Sequence, residues 1–544
     1  MNEYDYIIVG AGTAGCVLAS RLSESGAHRV LLLEAGGSER SLWIRVPVGY
    51  ARTFHDPRYN WMYQAEPDPA LDNRRQHWPR GKVLGGSGSI NAMVYVRGQP
   101  GDFDDWAAAA GNPGWSYKEV LPYFTRLENH CWGASEYHGA TGPIRVSDMS
   151  ASVHPLCHEF LAACGALEIP TTRDFNGAQP EGAGFWQVAI HEGVRVSTAS
   201  AYLRPAMRRV NLDVQLHALA TRLLFDGTRA TGVEYERGGT RQQVRARREV
   251  VLCGGAINSP QLLEISGVGD ARLLQRLGVP VVADVPAVGS GLQDHLAVNY
   301  VYRSRVPTLN DQLRPFLGKV RAALRYAATR RGPLSMSVNQ AGAFLRSRPE
   351  YSRPNLHIYF NPASYSTTTS ASKRRLTNPD PWPGFLMSFN TCRPTSRGSV
   401  HIKSPDPHVS PSIVPNSLST PADVQDVFDG AKLVRQIAAA APLAAVTLSE
   451  HQPGAMLQSD AEVLADFRQR AGSVFHATCT CAMGTDPRSA VLDARLRVRG
   501  LGALRVADAS AFPNVTSGNT NTPTIMLAEK AADLILEDSR APAG

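Results

Sequence analysis

The sequence predicts an α/β fold that opens on a Rossmann-like dinucleotide-binding unit. Three observations carry this prediction. A strand, glycine turn, helix, strand and acid occupy residues 6–34; a strand meets a glycine turn and an apolar helix at 249–265; a strand at 504–507 ends in an acid. The first unit begins with Tyr6-Ile7-Ile8-Val9, a β-branched run that reads as a buried parallel strand. Gly10-Ala11-Gly12-Thr13-Ala14-Gly15 follows, then Cys16 to Leu22 in helical rhythm, and Val30 to Leu33 leads into Glu34 and Ala35. Gly10 permits the tight turn, Gly12 lets the backbone approach a pyrophosphate, and Gly15 lets the helix pack closely on the sheet. Free N–H groups at the helix start attract phosphate. Glu34 stands where an acid holds a ribose 2′-hydroxyl and repels a 2′-phosphate.

Composition excludes several classes. The 544 residues are 43% hydrophobic and 19% charged, a globular mixture. The longest apolar stretch, 437–446, is interrupted by Pro442 and is far too short for the roughly 20 residues of a membrane crossing. No signal-peptide pattern precedes the first strand, and eight cysteines are sparse, so a cytoplasmic protein is expected. The net charge of +8 is carried almost entirely by scattered arginine. Its densest cluster, Arg245, Arg247 and Arg248, reads as a solvated strand margin, so no nucleic-acid partner is expected. The charge is compatible with peripheral contact with anionic membrane surfaces, without a transmembrane segment.

Residues 80–98, Arg80-Gly81-Lys82-Val83-Leu84-Gly85-Gly86-Ser87-Gly88-Ser89-Ile90-Asn91-Ala92-Met93-Val94-Tyr95-Val96-Arg97-Gly98, form a dense Gly/Ser loop. Such a loop exposes backbone N–H groups to a large flat ligand. Here the chain resembles the glucose–methanol–choline (GMC) oxidoreductases, in particular their choline-dehydrogenase-like branch. Two further matches support this. Gly255 to Gly269 resembles the family's second signature, and Asp508-Ala509 and Gly518-Asn519-Thr520-Asn521-Thr522-Pro523 its C-terminal one. Thr522 is the expected cap of the last helix, with Pro523 at its first position.

The resemblance implies FAD as cofactor. It assigns to it, beside the opening turn, Val83, Gly86, Asn91, Ala92, Met93, Val94, Ala220, Asp508, Ala509, Asn521 and Thr522. Asp508, at a strand end, is suited to a ribityl hydroxyl or a phosphate-bound water. Some members tether the flavin to a histidine beside the signature asparagine; Ile90 holds that position here, which implies non-covalent FAD.

Alcohol oxidation by a flavin needs a base for the hydroxyl proton and a flavin N5 that takes the hydride. His476-Ala477-Thr478-Cys479-Thr480-Cys481-Ala482-Met483-Gly484 resembles the family segment whose leading histidine is that base, with Ala477 and Cys479 replacing Pro and Gly. Its partner, by the same resemblance, is Asn519, which would orient the substrate oxygen. Cys479 and Cys481 read as packed thiols, and no metal is expected. Choline enzymes of the family place a carboxylate against the trimethylammonium group. Gln340 holds the matching position by local pattern and is expected in the substrate pocket, where its neutral amide disfavours choline.

The family architecture implies a Rossmann-like FAD-binding domain (1–155, 198–298 and 465–544) interleaved with a substrate domain (156–197 and 299–464) on an antiparallel sheet. That sheet is expected to include 355–361 and 385–390. A Ser/Thr-rich stretch, 364–375, is expected to form a lid. The implied reaction is oxidation of a neutral primary alcohol (aliphatic, polyether, aryl or sugar-derived), with electrons passing to a quinone or another acceptor. An oxidase using O2, a choline dehydrogenase and a redox-silent FAD-containing lyase are the alternatives.

Overall fold

The computed structural model describes residues 3–366 and 377–540. Most of the expected lid therefore lies outside the described residues. Two sheets of mixed origin organise the chain. In the first, β1 (Glu3–Val9) lies between β2 (Val30–Glu34) and β3 (Thr240–Leu252). Both neighbours run parallel to it, with Ile7 opposite Leu31 and Val250. The 13-residue β3 serves two partners: its C-terminal end also pairs parallel with β4 (Leu504–Val506), while its N-terminal half pairs antiparallel with Arg229–Arg237. Arg245, Arg247 and Arg248 are exposed along it, as a solvated margin requires. Helix α1 (Thr13–Leu22) packs on this sheet through Val17, Leu18 and Leu22, all fully buried.

The second sheet is antiparallel throughout its main path. Its order is Thr447–Gln452, Leu296–Ser304, Gly384–Thr391, Leu356–Asn361, Ala341–Leu345 and Gly182–Phe185. Strand alternation divides its faces. Val298, Tyr300, Ile358, Phe360, Met387 and Phe389 enter one apolar core, whereas Asn299, Tyr359, Asn361 and Ser388 turn to a cavity on the other side. The strands of the two sheets interleave along the chain. The boundary expected at 298 falls inside the strand Leu296–Ser304, and the one at 464 inside the helix Asp460–Arg470.

A buried ionic chain braces the first half. Arg97 pairs with Glu128 at 2.9 Å, His138 bridges Glu128 (2.9 Å) and Asp174 (2.7 Å), and Asn176 accepts from the Arg97 backbone N–H. Glu128, His130 and His138 bring ligand-type atoms within 4.8 Å of one another. The Glu128 carboxylate is already met by a guanidinium and an imidazole, which supply the positive charge a metal would bring. Among the described residues no helix is long and apolar enough to cross a membrane.

Candidate active site

A cavity of about 590 Å³ runs between the two sheets, from Glu34 at the end of β2 to His476 and Asn519. Its dinucleotide end is built by backbone approach. Gly10 has φ +98°, and a Cβ there would lie 2.6 Å from the Cys253 carbonyl oxygen. Gly86, with φ +53°, leaves only 2.7 Å between such a Cβ and the Gly12 Cα, so the Gly/Ser loop rests on the glycine turn. Gly15 faces away from the cavity: a Cβ there would sit 1.9 Å from the Gly10 carbonyl oxygen, the close helix packing expected of it. Glu34 accepts from the N–H groups of Ala11 (2.9 Å) and Gly36 (2.8 Å), and burial pushes its pKa up to about 7. Thr13 donates to Asn521 Oδ1 at 2.8 Å, joining the start of α1 to the start of the last helix, Asn521–Arg540.

Most residues expected to hold the cofactor line this cavity: Gly10, Gly12, Thr13, Ala14, Glu34, Ala35, Gly86, Asn91, Ala92, Met93, Val94, Ala220, Asp508, Ala509 and Asn521. Others do not. Val83 is buried against Ile44 and Ile90. Thr522 is buried inside the last helix, which starts at Asn521, ahead of the expected cap. Asp508 borders the cavity, but its oxygens already accept from Ser510 N and Oγ, Gly255 N and Ser259 Oγ. It therefore ties the second signature to the third instead of offering an open acceptor to a ribityl hydroxyl.

At the other end, His476 and Asn519 meet: Asn519 Nδ2 lies 3.0 Å from His476 Nε2. An amide nitrogen only donates, so this imidazole nitrogen carries a lone pair. The amide is oriented by Tyr359, whose hydroxyl donates to Asn519 Oδ1 at 3.4 Å. The opposite side of the ring fixes the same tautomer. His295 Nε2 lies 2.9 Å from the Cys392 carbonyl oxygen and must donate to it, which leaves Nδ1 of a neutral His295 as an acceptor. His476 Nδ1, 2.8 Å away, is then the N–H donor. A backbone carbonyl thus sets, through two imidazoles, a basic Nε2 aimed at Asn519.

Electrostatics hold this state. Burial first, then His295, His357 and Arg80, push the pKa of His476 well below that of an ordinary histidine. His295 is lowered to about 4, mainly by burial. Asp294 accepts from the His476 backbone N–H at 2.6 Å, and burial raises it to about 6. Gln293 and Thr478 pair their backbones, which seats the 293–295 segment beside the 476–478 segment. Asp294 and His295 carry one signal in the sequence, a polar Gln-Asp-His run leading into an apolar strand, and Arg195 carries none.

Arg195 is buried and holds the Gly/Ser loop by bonds to Asn91 Oδ1 and O (both 2.6 Å) and the Ile44 carbonyl (2.9 Å), with its pKa lowered to about 9 by burial. Arg195→Ala is expected to weaken FAD retention about tenfold, the cost of losing charge-assisted bonds. The ratio of flavin to protein absorbance after gel filtration checks this.

Gln340 is not part of the cavity wall. Its side-chain oxygen accepts from the His154 N–H at 2.7 Å, beneath the helix Leu156–Ala166, and its neighbour Asn339 lines the cavity instead. Cys479 and Cys481 are buried free thiols; Cys479 donates to Gln293 Oε1 at 3.4 Å. Cys479 has φ +75°, the conformation that the family's glycine adopts without strain and that costs a side chain about 1–2 kcal/mol.

The GMC oxidoreductase pattern matches residues 4–297, and its C-terminal counterpart matches 394–528. The chain belongs to the GMC oxidoreductase family. It is similar to mouse mitochondrial choline dehydrogenase, with 44% identity over 556 residues covering 99% of this chain and 91% of the relative. An oxygen-dependent choline dehydrogenase of Photobacterium profundum is 43% identical over 540 residues, covering 98% and 93%. Pyridoxine 4-oxidase from Mesorbium loti shares the fold with a TM-score of 0.88 at 31% identity, covering 97% of this chain and 98% of that one. This GMC protein is accordingly an FAD-dependent oxidoreductase acting on CH–OH donors. The glycine cradle, the start of α1 and the cavity that runs from Glu34 to His476 fit that cofactor.

Proposed function

We propose that this protein oxidises a neutral primary alcohol to its aldehyde, with His476 as the base, Asn519 holding the substrate oxygen and FAD bound non-covalently. The observation that carries the proposal is the 3.0 Å contact in the cavity between Asn519 Nδ2 and His476 Nε2, which requires a lone pair on that ring nitrogen. A substrate hydroxyl entering between them donates its proton to Nε2, while its oxygen accepts from Nδ2. FAD, when bound, supplies the acceptor for the hydride. Ile90 borders the cavity with an alkyl side chain that offers no nucleophile for a covalent tether. We infer that electrons leave to a quinone or another acceptor, with O2 as the alternative.

With Gln340 outside the cavity, the support for a neutral substrate comes from the wall itself. Among the described lining residues the carboxylates are Glu34, at the end of β2, and Asp508, just beyond β4, both at the dinucleotide end. The antiparallel sheet contributes Asn299, Asn361 and Ser388, and the Arg470 cation at its edge is already neutralised by Asp466. Choline is the second reading. Tyr50, Phe54, Tyr359 and Tyr365 line the same cavity, and aromatic faces attract a quaternary ammonium without a carboxylate. The test compares choline with dimethylbutanol, in which carbon replaces the quaternary nitrogen. A higher kcat/KM for the neutral alcohol is expected; a preference for choline would move the second reading to the front.

The rate should also report the depressed His476. A base must be unprotonated to act, so kcat/KM is expected to stay flat at and above pH 6.5 and to fall only well into the acid range. An acid limb centred at or above pH 6.5 would exclude a depressed His476 as the group responsible.

A further inference from the structure

A surface helix presents its apolar side to solvent. Helix α2 (Phe316–Thr329) buries Ala322 and Tyr326 and anchors through the Tyr326 hydroxyl, which donates to the Gly193 carbonyl at 2.9 Å. Phe316, Val320 and Leu324 recur at the four-residue spacing of one helix face, with Leu317 beside them. Their exposures are 78%, 39%, 66% and 78%. A helix on a globular surface ordinarily turns such a stripe inward.

The charged residues of the helix itself and of the chain just beyond it have one sign. Arg321 and Arg325 flank it on one side, Lys319 on the other, and Arg330 and Arg331 follow the C-terminus. No acidic residue occurs between Asp311 and Glu350, and Asp311 itself is engaged in a capping box with Thr308.

We propose that α2 is an interfacial helix that docks the protein on an anionic phospholipid surface. The apolar stripe enters the headgroup–acyl boundary while the flanking cations meet lipid phosphates. Charge complementarity selects this occupant. A second copy docked face to face would set the same cations against one another, and a nucleic acid would leave the exposed Phe316, Leu317 and Leu324 without apolar cover. The helix leads through Pro333–Ser335 to Asn339 on the cavity wall, so docking brings the lipid surface towards the substrate-domain side of the site. The proposal is independent of the substrate assignment.

The test is flotation of the FAD-loaded enzyme with vesicles of phosphatidylcholine alone or with about one-third phosphatidylglycerol. Binding to the anionic vesicles only, released by salt, is expected. The double variants F316E/L324E and R321E/R325E should each lower the partition coefficient about tenfold or more with turnover of soluble substrate unchanged. Equal binding by the wild type and both variants, or no binding to anionic vesicles, would overturn the proposal. So would a gel-filtration shift from oligomer to monomer in F316E/L324E, which would assign the face to contact between copies.

Discussion

His476→Ala is expected to lower kcat/KM by roughly a hundred- to ten-thousand-fold while FAD stays bound, because general-base catalysis contributes about that much. The substitution leaves the glycine cradle at the far end of the cavity untouched, so the flavin spectrum should survive. His295→Phe gives a companion result. It removes the acceptor that holds the His476 Nδ1 proton, so Nε2 no longer presents its lone pair in every molecule. A smaller loss, about tenfold and mainly in kcat, is the expected outcome. Full activity in His476→Ala would remove that residue from the base role; full activity in His295→Phe would show that the tautomer is set elsewhere.

Glu128→Gln is expected to lower the unfolding free energy by about 3–5 kcal/mol, the usual penalty for stranding a buried charge. It strands Arg97, which is 1% exposed, and breaks one side of the His138 bridge. Chemical denaturation monitored by tryptophan fluorescence measures the loss. The same chain predicts a pH dependence. Burial opposes charge on His138, but the bonds to Asp174 and Glu128 outweigh it and raise the pKa from 6.5 to about 9. A raised folded-state pKa stabilises fully below the unfolded value, and the contribution is lost as pH rises through the folded one. This component of stability should therefore decline between about pH 6.5 and 9, and the decline should be missing from Glu128→Gln/His138→Gln. A wild-type melting temperature unchanged across that window would mean that His138 is not held as a cation.

Local pattern made the dinucleotide half legible. β1, the glycine turn, α1 and Glu34 are contiguous, and each is dictated by short-range sterics or burial, so spacing alone placed them. Ile525, Ala528, Ala532 and Ile535 recur at helical spacing, and all four are buried in the C-terminal helix. The paired His476 and Asn519 came from resemblance, since 43 residues separate them and no periodicity links them. What pattern could not supply was long-range contact. Arg97 meets Glu128, Arg195 meets Asn91 and His295 meets His476 only after the chain has folded, and each looks like an ordinary polar residue in isolation. Gln340 shows a second limit. The matched segment was in the right neighbourhood, but adjacent residues in extended chain point to opposite sides. Asn339 therefore reached the cavity, and Gln340 turned to the helix behind it. The Thr522 cap failed for a local reason: the helical turn already includes Asn521, whose side chain is held by Thr13 from another segment.

We propose that this chain removes a proton from an alcohol at a neutral His476, with FAD, when bound, as the hydride acceptor. Anaerobic absorbance of the flavin during addition of primary alcohols tests it most directly. Bleaching of the visible bands by a neutral alcohol, at a rate independent of pH above 6.5 and abolished in His476→Ala, is the predicted result. A flavin that stays oxidised with every alcohol, choline included, would contradict it.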